Sequence, residues 1–489
     1  MGHSADPALL PSAAQIRSDF IAGEVSAVEI ITTALTSAAT QSALGAFIHV
    51  DAEYALRRAE EIDLVRAAVL DARSGSSRTA AMAELSGRAP LLGMPTGFKD
   101  LVHVAGMPTT MGTAALPTTI PGRDDPLARR VHSAGAISLG KTQVPEFGLP
   151  CYSENELAAP ARNPLAPERT PGGSTGGGAA AVASGMLPMA PGNDGGGSVR
   201  IPAAACGLIG LKPGRARLPD DRQQTGVQNL AVSGPIAESA EDAALLFDVM
   251  AGHRFEAGAS GLPAGRAMHA VDQALRRGLA PLRIGVTTES PFSPELDIVL
   301  QEPAVEALEQ GLRALAGLGH VVQGSSHCTG ADSFWPARYH QNFQTLWTSR
   351  LGQLDLPADQ VAAMTPLTRY FIEHAAARPA DQTQKAIAAL EDFAVHADAL
   401  LGPWDILVTP MLAYAPPKIG WFTGLTPEEN YREQCRFTPF SSVVNVMGLP
   451  AINVPTHTDA EGLSWSVQLI GRSGSEEHLL ALAATMLQG

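Results

Sequence analysis

Two serines set among glycines are the first candidates for chemistry. Ser174 stands in Gly172-Gly173-Ser174-Thr175-Gly176, and Ser198 follows Asp194-Gly195-Gly196-Gly197, 24 residues further on. A serine hydroxyl becomes a nucleophile only beside a base. The oxyanion it creates then needs preorganised N–H donors. Successive glycines before Ser198 offer unobstructed N–H groups next to a hydroxyl, and only glycine allows backbone to approach so closely. The thirteen histidines show no sequence partnership with either serine, so a Ser/Lys relay without histidine fits better than a Ser/His pair.

Other readings of these residues are weaker. Gly172 to Gly176 matches the Gly-x-Ser-x-Gly elbow of the α/β-hydrolases, but that elbow needs a strand immediately before it, and Pro171 stands there. Ser138-Leu139-Gly140-Lys141 matches Ser-x-x-Lys, without the Ser-Asp-Asn or Lys-Thr-Gly that accompany it in penicillin-binding enzymes. No Walker lysine follows the glycines and no His-Glu-x-x-His occurs.

The run from Glu168-Arg169-Thr170-Pro171-Gly172-Gly173-Ser174 through Gly192-Asn193-Asp194-Gly195-Gly196-Gly197-Ser198-Val199-Arg200 to Gly210-Leu211-Lys212-Pro213 resembles the signature of the amidase signature family. Gly93-x-Pro95-x-x-x-Lys99-Asp100 resembles that family's catalytic-lysine segment. Matching blocks continue to Val467–Gly471, so the likeness spans nearly the whole chain and is weakest over 215–280 and 325–400. It implies a Ser–cis-Ser–Lys triad: Ser198 as nucleophile, Ser174 as bridging serine behind a cis peptide on its Gly173 side, and Lys99 as base. The N–H groups of Gly195, Gly196, Gly197 and Ser198 would hold the oxyanion. Such a base works only if Lys99 is neutral, and burial can lower a lysine pKa by several units.

Around the triad, Asp194 and Arg200 are expected to pair and fix the glycine loop. Thr175 keeps a hydroxyl where the family usually has serine, and Gly178 does not. Asn193, in place of the common threonine, is similar to the branch containing nylon-oligomer cyclic-dimer hydrolases. Gly195 replaces a residue that is often larger, which either leaves room beside the oxyanion or loosens the loop. Tyr152, Trp335, Trp347, Cys435 and Phe440 are the expected pocket-lining residues, with Cys435 in a loop. Segments 331–400 and 415–440 would build that pocket.

The elements that hold these residues alternate between strand and helix, which argues for an α/β class. Helices are expected over 13–38 with a break at Gly23, over 52–73, 128–135, 301–318 and much of 331–400, and from Glu476 to Met486. Ser26 and Glu29 form a plausible capping box. Strands are expected at 47–50, 136–140, 281–286, 404–410, 450–455 and 464–470, and 74–90 reads as a loop with a short helix. The family resemblance implies one mixed, twisted central sheet covered by helices on both faces. We expect one large domain over 1–489: a helical part at 1–75, the catalytic core at 80–325, a helical insertion at 326–400, and closing strands with a final helix at 401–489.

Composition excludes several classes. Of 489 residues 45% are hydrophobic and 17% charged, so the chain is neither disordered nor a charged coiled coil. A net charge of −15 argues against nucleic acid or an anionic membrane as partner. Four scattered cysteines suit neither a disulfide framework nor a metal site. No signal peptide or membrane span is apparent, and a cytoplasmic protein is expected. The resemblance implies hydrolysis of a small or xenobiotic amide, without cofactor or metal, by a monomer or homodimer. A carbamate, anilide or ester would suit the same triad. A glutamine amidotransferase subunit and a non-catalytic binding protein on the same scaffold are the remaining readings. Retention of both serines and the lysine weighs against the last.

Overall fold

A computed structural model describes residues 9–71, 76–219, 225–258, 262–324 and 335–488. Among the described residues thirteen strands are formed: β1 (Phe47–Val50), β2 (Pro95–Lys99), β3 (Ile137–Thr142), β4 (Met189–Asp194), β5 (Ile209–Lys212), β6 (Val232–Ala237), β7 (Glu256–Ala257), β8 (Pro263–Ala264), β9 (Arg283–Val286), β10 (Val321–Gly324), β11 (Ile406–Pro410), β12 (Ala451–Thr458) and β13 (Ser464–Gly471). Eight of them make a mixed sheet in the order β10-β9-β11-β13-β12-β5-β6-β4. Its β10, β9 and β11 run parallel and its remaining pairs antiparallel. β11 and β13 are buried along their whole length; β11 reads as a near-continuous apolar run, whereas β13 buries Ser464, Ser466 and Gln468 between its apolar residues.

The expected mixed central sheet is thus present. A second sheet, β1-β3-β2, stands apart. Its edge strand β2 lies against β4, the edge of the large sheet. Lys99 ends β2, with Thr142 as its partner on β3. Asn193 and Asp194 end β4. The chemistry-bearing segments thus meet where two sheet edges approach each other.

Helix Gly176–Ala183 fills the space behind this junction, with every residue from Gly176 to Val182 buried. A Cβ on Gly177 would lie 2.4 Å from the Gln143 backbone nitrogen and 2.5 Å from the Ala46 carbonyl oxygen. The Gly/Ala composition is thus what lets this helix sit directly on β3 and its approaches.

Most expected elements form. Helices Ala13–Ala22 and Ala27–Thr40 part at Gly23, and Ser26 and Glu29 make both bonds of a capping box. The segment read as a loop with a short helix is instead dominated by helix Ser76–Arg88, while 72–75 lie outside the described residues. Segment 415–440 is a loop only as far as Thr426. Thr426 and Glu429 form a capping box with Pro427 at the first helical position, and the helix runs Pro427–Phe437, so Cys435 is helical. Among the described residues no helix is long and apolar enough to cross a membrane.

Candidate active site

The last residue of the buried strand β2 points its side chain across the junction. Lys99 Nζ lies 2.8 Å from Ser174 Oγ and 3.2 Å from the Asn193 carbonyl oxygen on β4. Ser174 Oγ lies 3.0 Å from Ser198 Oγ. The chain Lys99–Ser174–Ser198 is thus closed by two hydrogen bonds across segments 75 and 24 residues apart. The Gly173–Ser174 peptide is cis. Exposure rises along this line, from 1% at Lys99 and Ser174 to 7% at Ser198, so Ser198 is the most accessible of the three.

Desolvation drives the Lys99 ammonium toward neutrality. Burial brings its pKa down to about 7, with the Asp194 carboxylate pulling weakly the other way. A neutral amine that donates to the Asn193 carbonyl keeps a lone pair free for the Ser174 hydroxyl. Next to Lys99, Asp100 takes its own cation: Lys141 Nζ bonds Asp100 Oδ1 at 2.9 Å and Thr109 Oγ1 at 2.8 Å, wholly buried. The lysine of the Ser-x-x-Lys pattern therefore anchors the strand end that carries Lys99.

Asp194 and Arg200 form the pair that the sequence suggested. Arg200 donates to Asp194 through Nε at 3.0 Å and Nη2 at 2.9 Å, both residues being fully buried. Burial alone would raise the Asp194 pKa, but Arg200, Lys212 and Asn445 more than reverse this and hold it well below the ordinary carboxylate range. Arg200 also donates to the Ser441 carbonyl, Asn445 Oδ1 and Gln468 Oε1, which ties the loop to the far side of the large sheet. Asn445 and Gln468 carry no distinguishing pattern in the sequence and were not anticipated.

One expected oxyanion donor is already engaged. The Gly197 N–H donates to Asp194 Oδ1 at 2.8 Å, and Val199 N–H to Oδ2 at 3.1 Å. Gly197 has φ +124°, and a Cβ there would meet Ser441 Oγ at 2.6 Å. Gly197 shapes the turn rather than pointing a free donor outward. Among the described residues the N–H groups of Gly195, Gly196 and Ser198 carry no partner, so the candidate donor set contracts to these three.

Glycine at 173 is required by contact. A Cβ on Gly173 would lie 2.7 Å from both the nitrogen and the carbonyl oxygen of Tyr152. Tyr152 thus backs the Ser174 peptide. Its hydroxyl accepts from Asn430 at 2.9 Å and its ring stacks on Phe422 at 4.7 Å. It lines a neighbouring hollow with Glu146 and Glu154, not a cavity at Ser198.

Two cavities do open on Ser198. A narrow one of about 50 Å³ is lined by Gly196, Phe292, Phe343, Trp347, Phe371, Tyr431 and Cys435 among others. A wider one of about 210 Å³ is lined by Lys99, Ser174, Gly195, Asn193, Gln228, Asn229, Trp347 and Arg350 among others. Neither lining includes a histidine. Trp347 borders both. A Cβ on Gly195 would lie 3.2 Å from Trp347 Cζ3, so the room left at Gly195 is taken by the indole.

Of the five expected lining residues, Trp347 and Cys435 reach these cavities. Burial pushes the Cys435 thiol up to about 12, so it is a wall and not a second nucleophile. Trp335 is in the core, its indole N–H donating to the Glu289 carbonyl at 2.9 Å. Phe440 is buried and contributes its carbonyl to Gln468 rather than a ring to either cavity. Phe292, Phe343, Phe371 and Tyr431 were missed. Phe343 with Trp347, and Tyr431 with Cys435, are spaced i, i+4 on helices Tyr339–Thr348 and Pro427–Phe437, a pattern that marks one shared face. Among the described residues no group of three or more His, Cys, Asp or Glu side chains is placed to hold a metal ion.

Known proteins resemble this chain over most of its length. The family profile named Amidase matches residues 29–480. A Mycobacterium tuberculosis chain that carries an amidase name, AmiB2, is 35% identical over 398 residues, 81% of this chain and 82% of that one. A second chain of that organism, AmiA2, also with an amidase name, is 32% identical over 445 residues, 89% of this chain and 87% of its own length. The solved structure of 6-aminohexanoate cyclic dimer hydrolase with its substrate superposes with a TM-score of 0.80 at 26% identity, covering 98% of this chain and 96% of the other.

Proposed function

The chain belongs to the amidase family of hydrolases acting on carbon–nitrogen bonds, and from that premise we propose that it hydrolyses a small, non-peptide carboxylic amide through an acyl-enzyme on Ser198. The observation that carries the reading is the unbroken hydrogen-bonded line from a buried Lys99, its pKa brought to about 7, through Ser174 to Ser198. Neutral Lys99 takes the Ser174 proton as Ser174 takes the Ser198 proton, and Ser198 Oγ attacks the carbonyl carbon. The oxyanion meets the free N–H groups of Gly195, Gly196 and Ser198. The C–N bond breaks as the relay returns the proton to the leaving nitrogen. Water activated by the same relay then releases the acid.

The branch that includes the cyclic-dimer hydrolase supports a xenobiotic or otherwise non-natural amide as substrate. No nucleic-acid partner is proposed, in keeping with the charge of −15. A fluorophosphonate probe tests the reading. It should add its mass to Ser198, and Ser198→Ala should abolish both the adduct and amide hydrolysis. Unchanged labelling in that variant removes the assignment. A screen across amides, anilides, carbamates and esters of one acyl group then ranks the bonds cleaved.

A further inference from the structure

The two cavities at Ser198 are chemically unlike, and the relay tells which half of a substrate each must take. The proton returned through Ser174 has to reach the leaving nitrogen, so the leaving group lies on the Ser174 side of Ser198. Ser174 and Lys99 line the wide cavity and not the narrow one. The oxyanion glycines sit between them, Gly195 facing the wide cavity and Gly196 the narrow one. Trp347 closes the partition by packing on both.

The narrow cavity has no charged side chain in its lining, and its walls are Phe292, Phe343, Trp347, Phe371, Tyr431 and Cys435. Gln434, which also borders it, is already engaged, accepting from Cys151 N–H at 2.9 Å and donating to Asn430 at 2.7 Å. An ionised group placed there would be buried without a counter-charge. A volume of about 50 Å³ holds roughly three to five water-sized groups, since one such group needs about 10–15 Å³. The wide cavity has about 210 Å³ and a polar wall of Asn193, Gln228, Asn229, Ser349 and Arg350. Lys99 stands there as the neutral base, Arg350 is the charged side chain of its lining, and no carboxylate borders it.

We propose that this enzyme acts on amides with a short, uncharged, apolar acyl group seated between the Phe343–Trp347 and Tyr431–Cys435 helix faces, and with a larger amine, neutral or anionic, seated against Asn229 and Arg350. The proposal rests on the acyl-enzyme reading of Ser198 given above. The amine leaves through the wide cavity, and the water that hydrolyses the acyl-enzyme enters by the same space, next to Ser174.

Two substrate series on the intact enzyme test it. In anilides of increasing acyl length, kcat/KM should fall by about tenfold or more between butyranilide and octananilide, the penalty expected for methylenes that do not fit. In acetamides of increasing amine size, from ammonia through aniline to naphthylamine, it should not fall. Cys435→Leu should lower butyranilide relative to acetanilide, and Phe371→Leu should raise octananilide relative to butyranilide. Of two ring-substituted acetanilides, the carboxylate should be cleaved faster than the trimethylammonium, and Arg350→Gln should narrow that difference. A flat acyl series with a steep amine series, in an enzyme that does cleave amides, overturns the orientation alone. Absence of hydrolysis throughout both series overturns the orientation together with the reading of Ser198 on which it rests.

Discussion

Replacing Lys99 with methionine should cost the enzyme its activity, strengthen its fold and change its proton balance by a calculable amount. The pKa of Lys99 is brought to about 7 by burial, against about 10.4 for a free lysine. The folded value lies below the unfolded one, so between these pH values the unfolded chain binds more protons and stability rises with pH. At pH 8.5 a folded value of about 7 leaves roughly 3% of Lys99 protonated, and the unfolded value leaves roughly 99%. Unfolding there draws in about one proton for this residue. Lys212, lowered to about 7 by desolvation and then by Arg200, contributes a second. Transfer of the wild-type chain into concentrated urea at pH 8.5, followed by pH-stat titration, should take up about one proton more than transfer of Lys99→Met. A displacement of about 3.4 pH units corresponds to about 5 kcal/mol at or below pH 7, and the two lost hydrogen bonds offset about 2 kcal/mol of it. The variant should therefore be more stable than wild type near pH 7 by about 3 kcal/mol, a gain that falls to nothing near about pH 9 and reverses above it. The wild-type kcat/KM should rise as pH climbs to about 7 and then level off, as Lys99 loses its proton. Equal proton uptake by the two chains, or a variant that keeps the pH-dependent hydrolysis, would refute the neutral-lysine argument.

Other outcomes follow from the same contacts. Ser174→Ala should lower kcat by about 10²–10⁴, the range of a lost proton relay, while a fluorophosphonate adduct still forms slowly on Ser198; wild-type turnover would exclude Ser174 from the relay. Arg200→Leu strands the buried Asp194 carboxylate and should destabilise the fold by about 3–5 kcal/mol, read as a lower urea midpoint. The Asp194 contribution itself should persist across the neutral range, because its folded pKa is depressed and the stability it confers is lost only in strong acid. Gly173→Ala drives a Cβ into the Tyr152 backbone, which cannot yield as a side chain would, so soluble yield or activity should collapse. Gly195→Ala presses on the Trp347 ring at 3.2–3.3 Å and should alter acyl-length preference more than stability, measured across the anilide series.

The glycine frame and its two serines were legible in the sequence because close backbone approach leaves a residue-type signature, whereas Lys99 was picked out only through the likeness of Gly93 to Asp100 to the family's lysine segment. The α/β alternation was legible for the same kind of reason, each strand and helix carrying its own apolar period. The pocket was harder. Trp335 and Trp347 lie in the same helical segment with nothing local to distinguish them, and only packing sends one indole to the core and the other onto Gly195 and Gly196. The Pro427–Phe437 helix did carry a readable start in Thr426, Pro427 and Glu429, and with it the shared face of Tyr431 and Cys435.

What the sequence determined by itself is the inventory: which hydroxyls, which amine, and which glycines no side chain can replace. What the tertiary structure decided is their state. A lysine at the end of β2 is drawn toward neutrality only because the edge of a second sheet closes over it and removes its water. The Gly197 N–H is spent on Asp194, and not on an oxyanion, because Arg200 holds that carboxylate in place from across the fold. Desolvation and hydrogen-bond partnership are sums over neighbours far apart in the chain, so no local pattern could have carried them.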